Sequence, residues 1–168
     1  MPNKSKLLNF VRERHNRAVV GGLNSIGIMR IMAIDYGRRR CGVAVTDSLQ
    51  IAANPLPVVR TCDLLQFVKD YCSKEEVERI LIGEPRQMNG APSESMRYIT
   101  PFVRSLKKSL PEIPIEFVDE RFTSVMAHRD MITAGFKKSD RQRKGLADEM
   151  SATIILTTWL ESRNYKIQ

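Results

Sequence analysis

The sequence predicts an α/β fold in which a mixed, five-stranded sheet carries helices on both faces. Two observations lead to this prediction: short β-rich runs alternate with amphipathic helices, and the first three runs follow one another with no helix between them. The length of 168 residues suits a single domain, and a hydrophobic fraction of 42% is ordinary for a globular protein.

Residues 1–28 differ from the rest, because they show no sustained strand or helix pattern. Met29 stands directly before the first strong strand, so we expect a single domain over 29–168. We expect 1–28 to be a basic N-terminal extension that is disordered or not native to the functional protein. The alternative is a basic arm that contacts nucleic acid.

From Met29 onward the elements can be assigned in order. Five strands are predicted, at 31–34, 41–46, within 50–60, at 79–83 and at 115–118. Helices are predicted from a cap at Thr61 to about 71, from a cap at Ser93 to about 109, from Thr123 to Gly135, and over 146–162. Pro55 and Pro57 place the third strand at an edge or a bend.

This order, β-β-β-α-β-α-β-α-α, matches a ribonuclease-H-like arrangement, in which an antiparallel three-stranded meander precedes right-handed crossovers. It does not match a doubly wound dinucleotide-binding fold, whose first strand leads straight into a helix.

The formal net charge of +8 is carried by two short segments. Residues 1–28 hold five basic residues against Glu13, and residues 137–144 hold five against Asp140. A local excess of positive charge favours a nucleic-acid partner. No apolar run approaches the roughly 20 residues that span a bilayer, so we expect no membrane association. Three cysteines are too few for a disulfide scaffold, which favours a reducing, cytoplasmic setting.

Acidic residues follow two of the predicted strands. Asp35 ends the first strand, and Gly37 beside it permits a positive φ and a close approach of ligand. Asp119 and Glu120 end the last strand and must point to opposite sides, so only one can face the same site as Asp35. The structural alternatives are a turn aspartate bonded to its own backbone and a surface cluster of acids with Arg121.

The last helix supplies a third acid. Asp148 shares a helix face with Ala152, Ile155 and Trp159, which we expect to pack on the sheet, so Asp148 would point toward the strand ends. Glu149 lies on another face and is a less suitable substitute. The alternative role for both acids is to complement the helix dipole.

Three acids converging at one sheet edge favour a site for Mg²⁺ or Mn²⁺, with two ions of the kind that assist phosphodiester hydrolysis. Basic residues near these acids are the candidates for binding the nucleic-acid backbone. They are Arg38, Arg39, Arg40, Arg121, Lys137, Lys138, Arg141, Arg143 and Lys144.

Four groups of segments carry a resemblance to a known family. They are 29–37 with 42–47, 82–85 with 88–90, 118–124, and the basic loop with 148–156. In this order they closely resemble the YqgF/RuvX family, the Holliday-junction-resolvase-like proteins also described as pre-16S rRNA nucleases. The resemblance covers about residues 29–163.

The resemblance implies a ribonuclease-H-like fold and a metal-dependent nuclease that matures ribosomal RNA in the cytoplasm. Carried over by position, the catalytic and metal-binding acids are Asp35, Glu120 and Asp148, with Asp119 as the reserve for the second. Glu84 departs from the family's usual Gly-Leu-Pro. It either joins the site or pairs with Arg86, and we favour the pairing.

The expected function is therefore hydrolysis of phosphodiester bonds at the 5′ end of precursor 16S ribosomal RNA, with structured RNA as the partner. One alternative is a resolvase of branched DNA, which needs two sites related by a two-fold axis. Another is a non-catalytic nucleic-acid-binding module of the same fold. The sequence leaves monomer and homodimer both open.

Overall fold

The computed structural model describes residues 29–87, 89–120 and 144–165, and in the last segment it describes side chains for 150–163. These ranges contain five strands: β1 (Arg30–Asp35), β2 (Arg40–Thr46), β3 (Ala53–Arg60), β4 (Val77–Glu84) and β5 (Ile115–Asp119). They also contain three helices: α1 (Leu64–Lys74), α2 (Met96–Ser109) and α3 (Lys144–Tyr165). The helix predicted from Thr123 and the extension 1–28 lie outside the described residues.

The strands form a single mixed sheet in the order β3-β2-β1-β4-β5 within the described residues. β2 runs antiparallel to both β1 and β3, whereas β1, β4 and β5 run parallel. The carboxyl ends of these three parallel strands therefore meet at one edge of the sheet. β3 lies at a sheet edge, as its prolines predict, with Pro55 opposite Ala44.

Alternate residues of the central strands pack into two cores on opposite faces. On one face Met32, Ile34 and Ile82 are fully buried in a core that α1 and α2 cover. On the other face Ala33 and Leu81 pack with residues of α3. The predicted α/β sheet with helices on both faces is therefore confirmed.

The predicted apolar face of the last helix is also confirmed. Ala152 and Ile155 are buried in the second core, and Trp159 packs against it. Far along the helix, the Trp159 indole Nε1 donates a 3.0 Å hydrogen bond to Glu116 of β5. Arg79 of β4 donates to the same carboxylate at 2.6 Å and lies 5.1 Å from the indole centroid.

The predicted cap of α1 was wrong. Thr61 does not cap α1: the N-cap residue is Asp63, and the Thr61 hydroxyl donates instead to the Gly37 carbonyl at 2.7 Å. Gly37 does not adopt a positive φ. A Cβ there would overlap the Arg40 carbonyl oxygen, so the glycine is required by the tight turn between β1 and β2.

The N-cap residue of α2 is Ser95, two residues after the predicted cap at Ser93. Ser93 instead opens a turn in which its carbonyl accepts from the Met96 amide at 3.0 Å. None of the helices in the described part of the chain is both long and apolar enough to cross a membrane.

Candidate active site

Strand alternation brings Asp35 and Glu120 to the same face of the sheet. Asp35 follows Ala33 by two positions in β1, and Ala33 packs in the core beneath α3. Glu120 follows Val118 by two positions, and Val118 packs against that same core. Because side chains of a strand alternate between faces, both acids lie on the side that α3 covers, at the carboxyl edge.

Gly83 lies between these two acids, in the strand that separates β1 from β5. A Cβ at this position would overlap the Glu120 carboxylate and would stand 2.8 Å from the Ile155 methyl carbon Cδ1. The absence of a side chain at Gly83 therefore gives the Glu120 side chain room to extend over β4 toward Asp35. The Glu120 amide, which donates to the Glu84 carbonyl at 3.2 Å, fixes the start of that side chain.

The surroundings of the Glu120 carboxyl disfavour its ionised form. Burial, and after it the negative charges of Asp35 and Asp119, together raise the pKa of Glu120 from an ordinary 4.5 to about 7. An environment that disfavours a second negative charge favours a bound cation that compensates it. The carboxylate oxygens of Asp35 and Glu120 are hard ligands, so this pair of acids fits Mg²⁺ or Mn²⁺.

Asp119 and Glu84 lie on the opposite face from Glu120, as alternation requires. Glu84 and Asp119 are paired in register, and Arg86 contacts both. Its guanidinium lies 2.8 Å from the Glu84 carboxylate and 4.0 Å from that of Asp119. The favoured interpretation that Glu84 pairs with Arg86 is confirmed, and the geometry places Glu120, not the reserve Asp119, beside Asp35.

Asp148 lies in the first turns of α3, four residues before the buried Ala152. Its side chain and that of Glu149 lie outside the described residues, so the third predicted ligand has no observed position. Among the side chains that the structure does describe, no group of three His, Cys, Asp or Glu residues forms a metal cluster.

The predicted phosphate-binding residues divide into two sets. Arg38 and Arg39 are exposed in the turn after β1, whereas Arg40 is half-buried at the start of β2, opposite Arg60. The others have no described side chain: Arg121, Lys137, Lys138, Arg141, Arg143 and Lys144.

Gly83 is the residue of the site that sequence reasoning missed. Its signal was present, because a glycine inside a strand often marks a close approach of another group. What the sequence could not supply was the identity of that group, since Glu120 reaches Gly83 only through the pairing of β4 with β5.

Comparison with known proteins finds close relatives. A family model described as "RuvX: Holliday junction resolvase" matches residues 29–162. A protein of Bacteroides thetaiotaomicron named "Putative pre-16S rRNA nuclease" is 62% identical over 136 residues, which cover 81% of this chain and 99% of the relative. Proteins with the same name from Phocaeicola vulgatus and Flavobacterium johnsoniae are 61% and 51% identical, covering 81% of this chain and 98% and 99% of theirs.

Solved structures share the fold at low sequence identity. RuvC of Thermus thermophilus, in complex with a Holliday junction substrate, superposes with a TM-score of 0.53 at 17% identity, covering 81% of this chain and 96% of that chain. A second Thermus thermophilus RuvC structure gives a TM-score of 0.50 at 16% identity, with the same coverage of 81% and 96%. The likeness confirms the predicted ribonuclease-H-like fold.

Proposed function

The chain belongs to the RuvX family, and from this premise we propose that it is a metal-dependent nuclease that processes the 5′ end of precursor 16S ribosomal RNA in the cytoplasm. The observation that carries the proposal is the convergence of Asp35 and Glu120 at one sheet edge, where burial and mutual repulsion raise the pKa of Glu120 to about 7. The names of the relatives support RNA as the substrate.

Asp35, Glu120 and Asp148 would hold the divalent ions, Mg²⁺ or Mn²⁺. When bound, such ions activate a water molecule and stabilise the oxygen that leaves the phosphodiester. The protein itself aligns the two described carboxylates. β1 positions Asp35, the β4–β5 pairing positions Glu120, and Gly83 leaves the space that the Glu120 side chain crosses.

Basic residues around the site would bind the phosphates that flank the cleaved bond. Arg38 and Arg39 are exposed in the turn that follows Asp35, and 137–144 precede Asp148 in sequence. Contacts to the backbone give affinity without reading the sequence, so substrate choice would come from the shape of the RNA.

A cleavage assay with Mn²⁺ tests the proposal, using precursor 16S rRNA and a four-way DNA junction as parallel substrates. We expect the wild-type protein to cleave the RNA precursor at its 5′ region. We expect Asp35→Asn to bind that RNA nearly as well and to leave it uncut, because the substitution removes a ligand charge while keeping the side-chain shape. Metal-dependent cleavage by Asp35→Asn would contradict the site.

A DNA junction resolvase is the second candidate, and the description of the matching family model favours it. A resolvase cuts two strands symmetrically and needs two copies of the site about a two-fold axis. Cleavage of the four-way junction but not the RNA, by a dimeric protein, would support it. Failure to cut either substrate, together with no Mn²⁺ binding at millimolar concentration, would support a non-catalytic binding module.

A further inference from the structure

Two arginines and one tyrosine form a cluster at the same edge of the sheet as the candidate active site, on the face that α2 covers. The guanidinium carbon of Arg38 lies 4.9 Å from the centroid of the Tyr98 ring, and that of Arg97 lies 4.8 Å from the same centroid. Arg38 belongs to the turn after β1, whereas Arg97 and Tyr98 belong to the first turn of α2. We call Arg38, Arg97 and Tyr98 the Arg–Tyr cluster.

A contact between aromatic rings packs the turn after Asp35 against α2, on the face of the sheet opposite the Asp35 side chain. Tyr36, the residue after Asp35, packs against Phe102 with ring centroids 5.1 Å apart. Phe102 follows Tyr98 by four residues, so both lie on the same side of α2. The turn after β1 is therefore packed against α2. Arg38 is three positions after Asp35, so their Cα atoms are at most about 11 Å apart.

The charges of the Arg–Tyr cluster are not balanced by its neighbours. Arg38 and Arg97 are exposed, and among the residues that the structure describes neither makes an ion pair with a carboxylate. An exposed arginine gains only about 0.5–1 kcal/mol from an aromatic ring, and two guanidiniums at one ring repel each other. Packing on the Tyr98 ring therefore explains the position of the two guanidiniums poorly, whereas an anion bound between Arg38 and Arg97 would stabilise both.

We propose that the Arg–Tyr cluster binds a backbone phosphate of the substrate strand where that strand passes around the carboxyl edge of the sheet from the phosphodiester at Asp35. The planar guanidinium donates two parallel hydrogen bonds to phosphate oxygens, which makes arginine the suitable residue for this ligand. Tyr98 holds both guanidiniums in place before the strand arrives. The assignment of the anion to a nucleic-acid strand rests on the proposed function.

Binding measurements at several salt concentrations test this site. The full chain carrying Asp35→Asn would be titrated with a fluorescent RNA that spans the 5′ region of precursor 16S rRNA. Adding Arg97→Ala should weaken binding about tenfold, because a charge-assisted hydrogen bond is lost. The logarithm of the binding constant falls as the logarithm of the salt concentration rises, and Arg97→Ala should make this slope shallower by about 0.7–0.9, the value for one phosphate contact.

Arg104→Ala is the matched control, since Arg104 is an exposed arginine on α2 seven residues further along. It lies on the same side of the helix, about 10 Å further from Arg97 along its axis. We expect its affinity to change less than twofold. Arg38→Ala should weaken RNA binding about as much as Arg97→Ala. The affinity of the double variant should fall by less than the product of the two single fold-losses, because both side chains hold the same phosphate.

Equal affinities and slopes for Arg97→Ala and the Asp35→Asn parent would overturn the inference, as would equal losses for Arg97→Ala and Arg104→Ala. Absence of nucleic-acid binding by the parent would also overturn it. Failure of the proposed function gives a different result: the wild-type protein would bind RNA without cutting it in Mn²⁺, while the loss on Arg97→Ala would still support the phosphate site.

Discussion

Gly83 determines where the Glu120 carboxylate can lie, and this makes a residue without a side chain part of the candidate site. Any Cβ at this position would overlap the carboxylate and would crowd Ile155. The sequence predicts that one of Asp119 and Glu120 faces Asp35, because alternation along a strand is a local rule. It cannot predict the clearance at Gly83, which arises only when β4 and β5 pair.

Gly83→Ala should therefore displace the Glu120 carboxylate and weaken metal binding. We expect Mn²⁺ affinity, measured by isothermal titration calorimetry, to fall about tenfold or more, in the range that misplaced supporting residues cause in metal sites. Ile155→Val serves as the control, because it trims the other neighbour of Gly83 and leaves Glu120 in place. Unchanged Mn²⁺ affinity in Gly83→Ala would show that the clearance is not needed.

The raised pKa of Glu120 predicts a pH dependence of stability in metal-free protein. Since the folded state holds this proton up to about pH 7 and the unfolded chain releases it near 4.5, stability should fall as pH rises through that window. The loss is on the order of 2–3 kcal/mol. Urea denaturation in EDTA at pH 4.5 and pH 8 would measure it, with Glu120→Gln showing a smaller difference than wild type.

Mn²⁺ should reverse this effect, because a bound cation favours the charged carboxylate. The ion should therefore stabilise wild-type protein more at pH 8 than at pH 5. An equal pH dependence in wild type and Glu120→Gln would show that this carboxyl is not the source.

At the scale of elements, the far half of α3 is held to the sheet by a hydrogen bond and a cation–π contact of Trp159. Trp159 donates to Glu116 of β5, and Arg79 of β4 contacts both of them. The helix face that packs on the sheet could be predicted from the spacing of Ala152, Ile155 and Trp159. The contact among Trp159, Glu116 and Arg79 could not be predicted, because the three residues come from separate parts of the chain.

Trp159→Phe should cost about 1–2 kcal/mol of unfolding free energy, because the phenyl ring keeps most of the packing but cannot donate to Glu116. Urea denaturation would measure the change. Glu161→Gln is the control two residues along the helix: Glu161 is exposed, and its substitution should change stability by less than about 0.5 kcal/mol. A loss of stability in Trp159→Phe no greater than in the control would contradict the role of this hydrogen bond.

The helix starts show the same limit of sequence reasoning. Thr61 has the residue type of a cap, yet its hydroxyl donates to Gly37 in the turn between β1 and β2. A capping preference is a local tendency, and here a contact across 24 residues replaces it. The element order was predictable because β-rich runs and amphipathic helices are local patterns, whereas the residues that begin each helix depend on distant partners.

For the whole molecule, the net charge of +8 is unevenly distributed, with the segments 1–28 and 137–144 carrying the excess. We predict that a chain beginning at Met29 keeps the thermal stability and the RNA cleavage rate of the full chain, within about twofold for the rate. This follows from the placement of the sheet, both cores and the candidate site after residue 29. A large loss of RNA affinity in the shortened chain would instead support the basic arm.

The most direct test of the account compares two neighbouring acids that the fold sends to opposite faces. The rate of precursor 16S rRNA cleavage in Mn²⁺ would be measured for wild type, Glu120→Gln and Asp119→Asn, each substitution nearly isosteric. We expect a loss of about 100-fold or more for Glu120→Gln, because metal ions contribute several kcal/mol to such a reaction. For Asp119→Asn we expect a change within about threefold. The reverse order, or equal losses for the two variants, would contradict the account.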